Sequence, residues 1–193
     1  MTYDSKTISY ENRVLKSFFE KQILKERRKK NWARLIRDLL ITSAAIYLLF
    51  GKIFGVAVIR GDSMAPNLTS GSVTLFYRLD HIYKKNDIVI FQPPGKNDFL
   101  VKRIVAVAGD KVDINDETGE LLVNGIVQTS DAVNGKTFTR ENGSAFPLTV
   151  PNHCVFVLGD NREAALDSRN LGTIETENLV GRMLFEIKNL ESS

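Results

Sequence analysis

The feature that most constrains this chain is an apolar run over residues 39–59, in which Lys52 is the single charged residue. As a helix rising about 1.5 Å per residue, the run would be about 31 Å long, close to the hydrocarbon thickness of a bilayer. Lys52 lies near the C-terminal end of the run, where a lysine side chain can reach the membrane interface. We therefore predict a transmembrane helix over residues 38–58, followed by one folded domain over residues 59–193.

The charge of the chain changes sign across this run. Residues 1–37 hold eleven of the 26 Lys and Arg residues and four of the 23 acidic ones, so the rest of the chain is net negative by four. A basic segment beside an apolar span is typical of a cytoplasmic flank. We predict a basic cytoplasmic tail over 1–37, a lipid bilayer as partner, and residues 59–193 outside the cell membrane. Nucleic acid is not the expected partner. A buried helix and a cleaved secretory signal are the alternatives to the anchor.

Short β-branched segments separated by turn residues follow the apolar run. Residues 116–119 and Asn124-Gly125 predict hairpin turns, and residues 129–149 predict an exposed loop. With almost no helical periodicity after the anchor, this spacing predicts a mainly β fold, a compact antiparallel β barrel or sandwich. The predicted strands are 56–59, 72–77, 87–91, 100–107, 112–115, 120–123, 126–128, 155–158 and 181–187.

Ser63 is the candidate nucleophile, because it follows the apolar run directly in residues 61–66, Gly-Asp-Ser-Met-Ala-Pro. A serine hydroxyl needs a nearby base to act as a nucleophile. The chain has two histidines, and nothing in the sequence marks His81 as catalytic. His153 is next to Cys154, but adjacent residues entering a strand point to opposite faces, so these side chains are not expected to meet. Cys154, the only cysteine, is interpreted as a small core residue and excludes an intrachain disulfide.

Lys102 is the candidate base. Strand alternation places Leu100 and Ile104 on its face and Arg103 on the other face, so Lys102 would have apolar neighbours. Burial disfavours the ammonium form and lowers the pKa of a lysine. A base that works near neutral pH requires a fall of about 2.5 to 3 units, or about 3.5 to 4 kcal/mol. The alternative is a surface lysine whose aliphatic stem lies along the sheet.

A charged turn follows the predicted strand 155–158. Residues 159–172 contain Asp160, Arg162, Asp167 and Arg169. Opposite charges in a tight loop favour a structural network, which we expect to shape a wall of the site. A pair of catalytic carboxylates is a weaker interpretation, because each acid has an arginine two residues away.

In this order, these segments resemble the bacterial type I signal peptidase family, peptidase family S26, which uses a Ser–Lys dyad. The similar boxes are residues 61–68, 86–91, 101–110 and 159–172. The resemblance implies that Ser63 is the nucleophile and Lys102 the base, and that Ile59, Gly61, Met64 and Val101 bind substrate. It implies a membrane-bound serine endopeptidase that removes N-terminal signal peptides from secreted preproteins or pilin-like surface proteins after small-x-small residues. We expect no metal and no cofactor, since the sequence shows no ligand cluster and no phosphate-binding glycine loop.

Three positions depart from the family pattern and indicate a divergent, Gram-positive-like member. Gly61 stands where many members have a serine that helps to bind the oxyanion, and Ala165 where a serine usually orients the lysine. Ala108 replaces a common proline. The alternative function is therefore a membrane-anchored pilus or surface-protein assembly factor, or a chaperone, with the same fold. A self-cleaving regulator resembles this fold and dyad as well, but the sequence has an anchor where a DNA-binding unit is expected.

Overall fold

The computed structural model describes residues 5–80, 82–129, 133 and 135–187. The chain divides into two compact units, residues 1–49 and 50–193. His81 and part of the predicted loop 129–149 lie outside the described residues.

The first unit contains one long helix, α1, from Ser5 to Leu48. A π-helical turn, Leu49–Ile53, follows it, and the first strand, β1, covers Phe54–Val58. The prediction of one helix over residues 38–58 is therefore wrong, because residues 54–58 are hydrogen-bonded into a sheet. Aromatic and β-branched residues such as Phe54, Val56 and Val58 fit a pleated sheet better than a helix. Nowhere in the part of the chain that the structure describes is a helix both long and apolar enough to cross a membrane.

Ten more strands follow β1 in the second unit. They are β2 (Val73–Tyr77), β3 (Ile88–Phe91), β4 (Leu100–Val107), β5 (Lys111–Asn115), β6 (Glu120–Val123), β7 (Ile126–Val127), β8 (Leu148–Thr149), β9 (Cys154–Leu158), β10 (Ile174–Glu175) and β11 (Leu179–Ile187). Seven strands form a main antiparallel sheet in the order β1-β2-β11-β3-β4-β9-β10, and four form a small sheet in the order β7-β6-β5-β8.

The hairpins of the small sheet are those that the turn residues predict. Gly119 closes the β5–β6 connection with φ of 73°, and Asn124 and Gly125 close the β6–β7 connection with φ of 55° and 78°. Glycine and asparagine tolerate this left-handed region, which two-residue hairpin turns require.

One hydrophobic cluster joins the two sheets. The strand pairs of both sheets are antiparallel, which confirms the mainly β, antiparallel prediction. The described strands do not close a barrel, because β1 and β10 end the main sheet. The buried side chains of this cluster come from β4, β9, β5, β6 and the segment before β9: Ala106, Phe156, Leu158, Val112, Ile114, Leu121, Val123 and Val150. Cys154 is partly buried and packs against this cluster, in agreement with its interpretation as a core residue.

Several short elements are absent from the sequence prediction, among them the 3-10 turn Thr176–Asn178. Strands β8 and β10 have two residues each, too few to show an alternating pattern, and β8 lies within the predicted loop 129–149. The helix α2, Ser168–Leu171, is a single turn. Asp167 caps it by accepting a hydrogen bond from the Arg169 backbone N–H, as N-cap residues do.

Candidate functional site

Ser63 and Lys102 meet, although they are 39 residues apart in the chain. Ser63 lies in a turn after β1, where the N–H of Ala65 donates to the Asp62 carbonyl over 3.0 Å and that of Leu68 to the Met64 carbonyl over 2.9 Å. Lys102 lies in β4, and its Nζ is 2.8 Å from the Ser63 Oγ. This distance is within hydrogen-bond reach, as proton transfer from a nucleophile to a base requires.

The Lys102 side chain is buried, with 2% of its surface exposed. Strand β4 alternates as predicted: Lys102, Ile104 and Ala106 are buried, while the residues between them are only partly buried. Its Nζ donates to the Val101 carbonyl over 2.8 Å, and the described residues form no ion pair with it. Burial lowers the pKa of Lys102 from 10.5 to about 8, against the attraction of Asp167 and Asp160, which raises it. A large fraction of this amine is therefore uncharged at mildly alkaline pH.

A cleft of about 510 Å³ opens beside the two side chains. It brings together three of the four predicted substrate-binding residues, Ile59, Met64 and Val101, while Gly61 is not part of its wall. Ile59 and Met64 are themselves buried and pack with Leu68 beneath the turn. The full lining is Ala57, Val58, Ile59, Arg60, Ser63, Met64, Ile90, Asp98, Phe99, Leu100, Val101 and Lys102.

The backbone around Ser63 is held from the turn after β9. The Asn161 N–H donates to the Ser63 carbonyl over 3.1 Å. This approach requires Gly159, because a Cβ there would lie 2.6 Å from the Ser63 carbonyl oxygen and 2.3 Å from the Ala165 Cβ. The N–H of Ser63 itself makes no hydrogen bond to the described residues. It is available to a bound group.

A buried network of opposite charges lies next to the dyad, as the pattern of residues 159–172 predicts, but none of these residues lines the cleft. Asp160 accepts two hydrogen bonds from Arg103, over 2.8 and 2.7 Å. Asp167 accepts two from Arg169, both over 2.9 Å. Each pair has the two-pronged geometry that stabilises buried charges.

Arg162, in the same turn, has no carboxylate partner among the described residues. Its guanidinium donates to the Gly159 carbonyl over 3.0 Å and to the Thr137 hydroxyl. Burial and the nearby Arg169 charge lower the pKa of Arg162 to about 10.

Several residues of the site are missing from the sequence prediction. Arg60, Asp98 and Phe99 line the cleft. The Asn67 amide donates to the Asp160 carboxylate over 2.8 Å. The position of Asn67 within the serine box is a signal that could have found it. Asn161 contacts Ser63 through its backbone N–H, so the identity of its side chain could not have predicted this contact.

A mainly β domain with a buried Ser–Lys pair beside an open cleft has the arrangement of a serine hydrolase whose base is a lysine. Residues 32–187 match the family model described as Signal peptidase, peptidase S26. The chain belongs to that family. The resemblance of its sequence boxes to type I signal peptidases is therefore confirmed.

Known proteins similar to this chain come from plants and Gram-positive bacteria. Thylakoidal processing peptidase 1, chloroplastic, of Arabidopsis thaliana is 39% identical over 142 residues, covering 66% of this chain and 40% of that relative. Signal peptidase IB of Staphylococcus aureus (strain N315) is 30% identical over 174 residues, covering 81% and 90%. A crystal structure of a signal peptidase I from Enterococcus faecalis V583 is 28% identical, with a TM-score of 0.44, covering 54% of this chain and 98% of that one. The chain spans about two fifths of the length of two Arabidopsis thylakoidal processing peptidases.

Proposed function

We propose that this protein is a membrane-bound serine endopeptidase that removes N-terminal signal peptides from exported preproteins. The observation that carries the proposal is the 2.8 Å contact between the Ser63 hydroxyl and a buried lysine amine. Membership of the signal peptidase family supports the same reaction and substrate class.

The first step is acylation of Ser63. Lys102, in its uncharged form, accepts the Ser63 proton while Oγ attacks the scissile carbonyl carbon and forms a tetrahedral oxyanion. Collapse of this intermediate breaks the C–N bond, and the ammonium of Lys102 returns the proton to the leaving amine. The mature protein leaves, and the signal peptide remains as an ester on Ser63.

The second step is hydrolysis of the ester. Lys102 is uncharged again and takes a proton from an attacking water, then passes it to the Ser63 oxygen as the ester bond breaks. The free N–H of Ser63 supports oxyanion binding, since a backbone donor aimed at developing charge stabilises the transition state. Gly61 offers no side-chain donor to this oxyanion.

The substrate lies in the cleft as an extended strand. Strand β1 is an edge of the main sheet, so its outer backbone groups can pair with a peptide. Ile59, Met64 and Val101 form the apolar surface that receives the small residues before the cleavage site. We extend the proposal to pilin-like surface proteins, the second kind of client that the sequence resemblance implies.

An exposed apolar face supports contact with a lipid bilayer. Val56 and Phe185 flank Leu75 on neighbouring strands, and 58% and 50% of their surfaces are exposed. Val58, next along β1, is 58% exposed and also lines the cleft. An apolar face of this kind typically marks an interaction site. We infer that it rests on the surface of a lipid bilayer, which flotation of the full chain with vesicles would test.

The test is cleavage of a preprotein by the purified full chain in detergent and in lipid vesicles. Ser63→Ala and Lys102→Met should each abolish cleavage at the small-x-small site, and mass spectrometry of the products locates the cut. Lys84→Met, an exposed lysine after β2, is the control and should cleave as the parent does. Equal cleavage by the parent and Ser63→Ala would overturn the dyad. Cellular function that survives Ser63→Ala would favour an assembly factor instead.

A further inference from the structure

Ser63 and Lys102 come from segments that no strand pairing joins directly. Ser63 follows β1, and three other strands separate β1 from β4, which carries Lys102. Met64 and Leu68 pack beneath the serine turn, but apolar packing has no directional preference. The distance between the hydroxyl and the amine therefore depends on hydrogen bonds outside the strand ladders.

Asp160 supplies such a connection. Its carboxylate accepts two hydrogen bonds from Arg103, the residue after Lys102, over 2.8 and 2.7 Å. The same carboxylate accepts a hydrogen bond from the Asn67 amide over 2.8 Å. Asp160 is 1% exposed, so water cannot replace these donors readily.

The consecutive residues Asp160 and Asn161 thus bind the two ends of the segment from Ser63 to Asn67. Asn161 holds the Ser63 carbonyl through its backbone N–H, over 3.1 Å. Asp160 holds Asn67, at the far end of the serine turn. Among the described residues, the Asn67 amide links the serine turn, residues 61–68, to the Asp160–Arg103 pair through a side-chain hydrogen bond.

We propose that Asn67 is a positioning residue for the dyad: its amide fixes the serine turn to the Asp160–Arg103 pair and so sets the Ser63–Lys102 contact. The inference rests on the proposed hydrolase function of the dyad. Asn67 is not among the residues that line the cleft.

The same hydrogen bond influences the charge state of Lys102. Asp160 attracts the protonated amine and raises the pKa of Lys102, whereas burial lowers it. The Asn67 amide compensates part of the Asp160 charge without adding a cation. Its loss should therefore raise the pKa of Lys102. The other charged groups around the amine are Asp167, Arg103, Arg162 and Arg169 in the network and Arg60 and Asp98 in the cleft.

The experiment is a pH titration of the Lys102 Cε resonance by ¹³C NMR in the full chain, with Lys102→Met to assign the signal. Asn67→Ala should raise the pKa of Lys102 by about half a unit, and Asn67→Asp, of the same shape but charged, by about one unit. The acidic limb of kcat/KM for preprotein cleavage should move by the same amounts. At pH 7 kcat should fall about tenfold with KM within about twofold, because the contact positions the reacting groups and not the substrate.

Asn124→Gly is the matched control. Asn124 also donates its amide to a carboxylate, that of Asp110 over 2.7 Å, but in the small sheet, and glycine tolerates its φ of 55°. This variant should leave the titration and the kcat profile unchanged. Unshifted titrations in both Asn67 variants, or shifts that Asn124→Gly matches, would overturn the inference even if the parent cleaves preproteins. A parent that cleaves nothing would instead overturn the proposed function, and the titration would still decide the role of Asn67.

Discussion

Two neighbouring regions of this molecule bury positive charges with different partners. Lys102 is 2% exposed and contacts a hydroxyl and a carbonyl, which carry no charge to balance an ammonium. Arg169 is 1% exposed, and each of two guanidinium nitrogens faces a carboxylate oxygen of Asp167. Burial lowers the pKa of the lysine to about 8, so it can lose its proton, whereas an arginine in such a pair remains charged.

The difference shows that the partner, and not burial alone, decides what a buried cation can do. Lys102 and Arg103 are consecutive in β4, so their side chains point to opposite faces. One reaches the serine and the other reaches Asp160. A single strand thus supplies the cleft with an amine that can lose its proton and the network with an arginine side chain.

Lys102→Arg should break this contrast with the largest effect. The substitution keeps a buried cation beside Ser63, but a guanidinium does not lose its proton in proteins and cannot act as a base. We expect kcat/KM for preprotein cleavage to fall by about a thousandfold or more across pH 7 to 9. Far-ultraviolet circular dichroism should show the parent's β content. Activity within tenfold of the parent would contradict the role of an uncharged amine.

Asp167→Asn should disrupt the paired region through stability. It leaves the buried Arg169 without its carboxylate, which costs about 3 to 5 kcal/mol in the free energy of unfolding. Urea unfolding, followed by far-ultraviolet circular dichroism, measures the change in the free energy of unfolding. Lys85→Ala is the control, because it removes a 3.0 Å ion pair with Asp110 whose lysine is 40% exposed, and should cost less than about 1 kcal/mol. Equal costs for the two variants would show that the network contributes no more than a surface pair.

The sequence contains enough to predict the two regions of this contrast, but not every partner of their charges. Alternation in β4 predicts that Lys102 lies among apolar side chains, and the charge pattern of residues 159–172 predicts a structural network. Arg169 pairs with Asp167, which is two residues away in the chain. The partners of Asp160 are not predictable, because it meets Arg103 and Asn67 through folding and not through spacing in the chain.

The fold shows the same division. Strands of four or more residues are predicted close to their observed bounds, and the two-residue β7 is predicted because the Asn124-Gly125 turn precedes it. Strands β8 and β10 escape detection because two residues alone show no alternation. The apolar run predicts a helix through residue 58, but the backbone of Phe54–Val58 pairs with β2. Hydrophobicity alone does not distinguish a helix from a strand in such a run.

Lys102→Met should show how the buried lysine differs from the paired arginine, because it changes how the free energy of unfolding depends on pH. Its effect should be smaller than those of Lys102→Arg and Asp167→Asn. The pKa of Lys102 is about 8 in the folded chain against 10.5 for a free side chain. The unfolded chain therefore binds more protons between these two values, and the parent becomes more stable as pH rises through that window. Below pH 8 the buried amine costs about 3 kcal/mol, a cost that is relieved by about pH 10.5.

Lys102→Met removes the titrating group and keeps an unbranched apolar side chain in the same space. The stability of this variant relative to the parent should therefore be greatest at pH 7 and decline by about 3 kcal/mol by pH 11. Loss of the hydrogen bond to the Val101 carbonyl lowers the whole curve by about 1 kcal/mol but does not change its slope. Urea unfolding at several pH values gives the curve, and Lys111→Met, an exposed lysine of β5, should run parallel to the parent. A Lys102→Met curve that also runs parallel to the parent would mean that the Lys102 amine has the same pKa in the folded and unfolded chains. Burial could then not explain how Lys102 acts as a base.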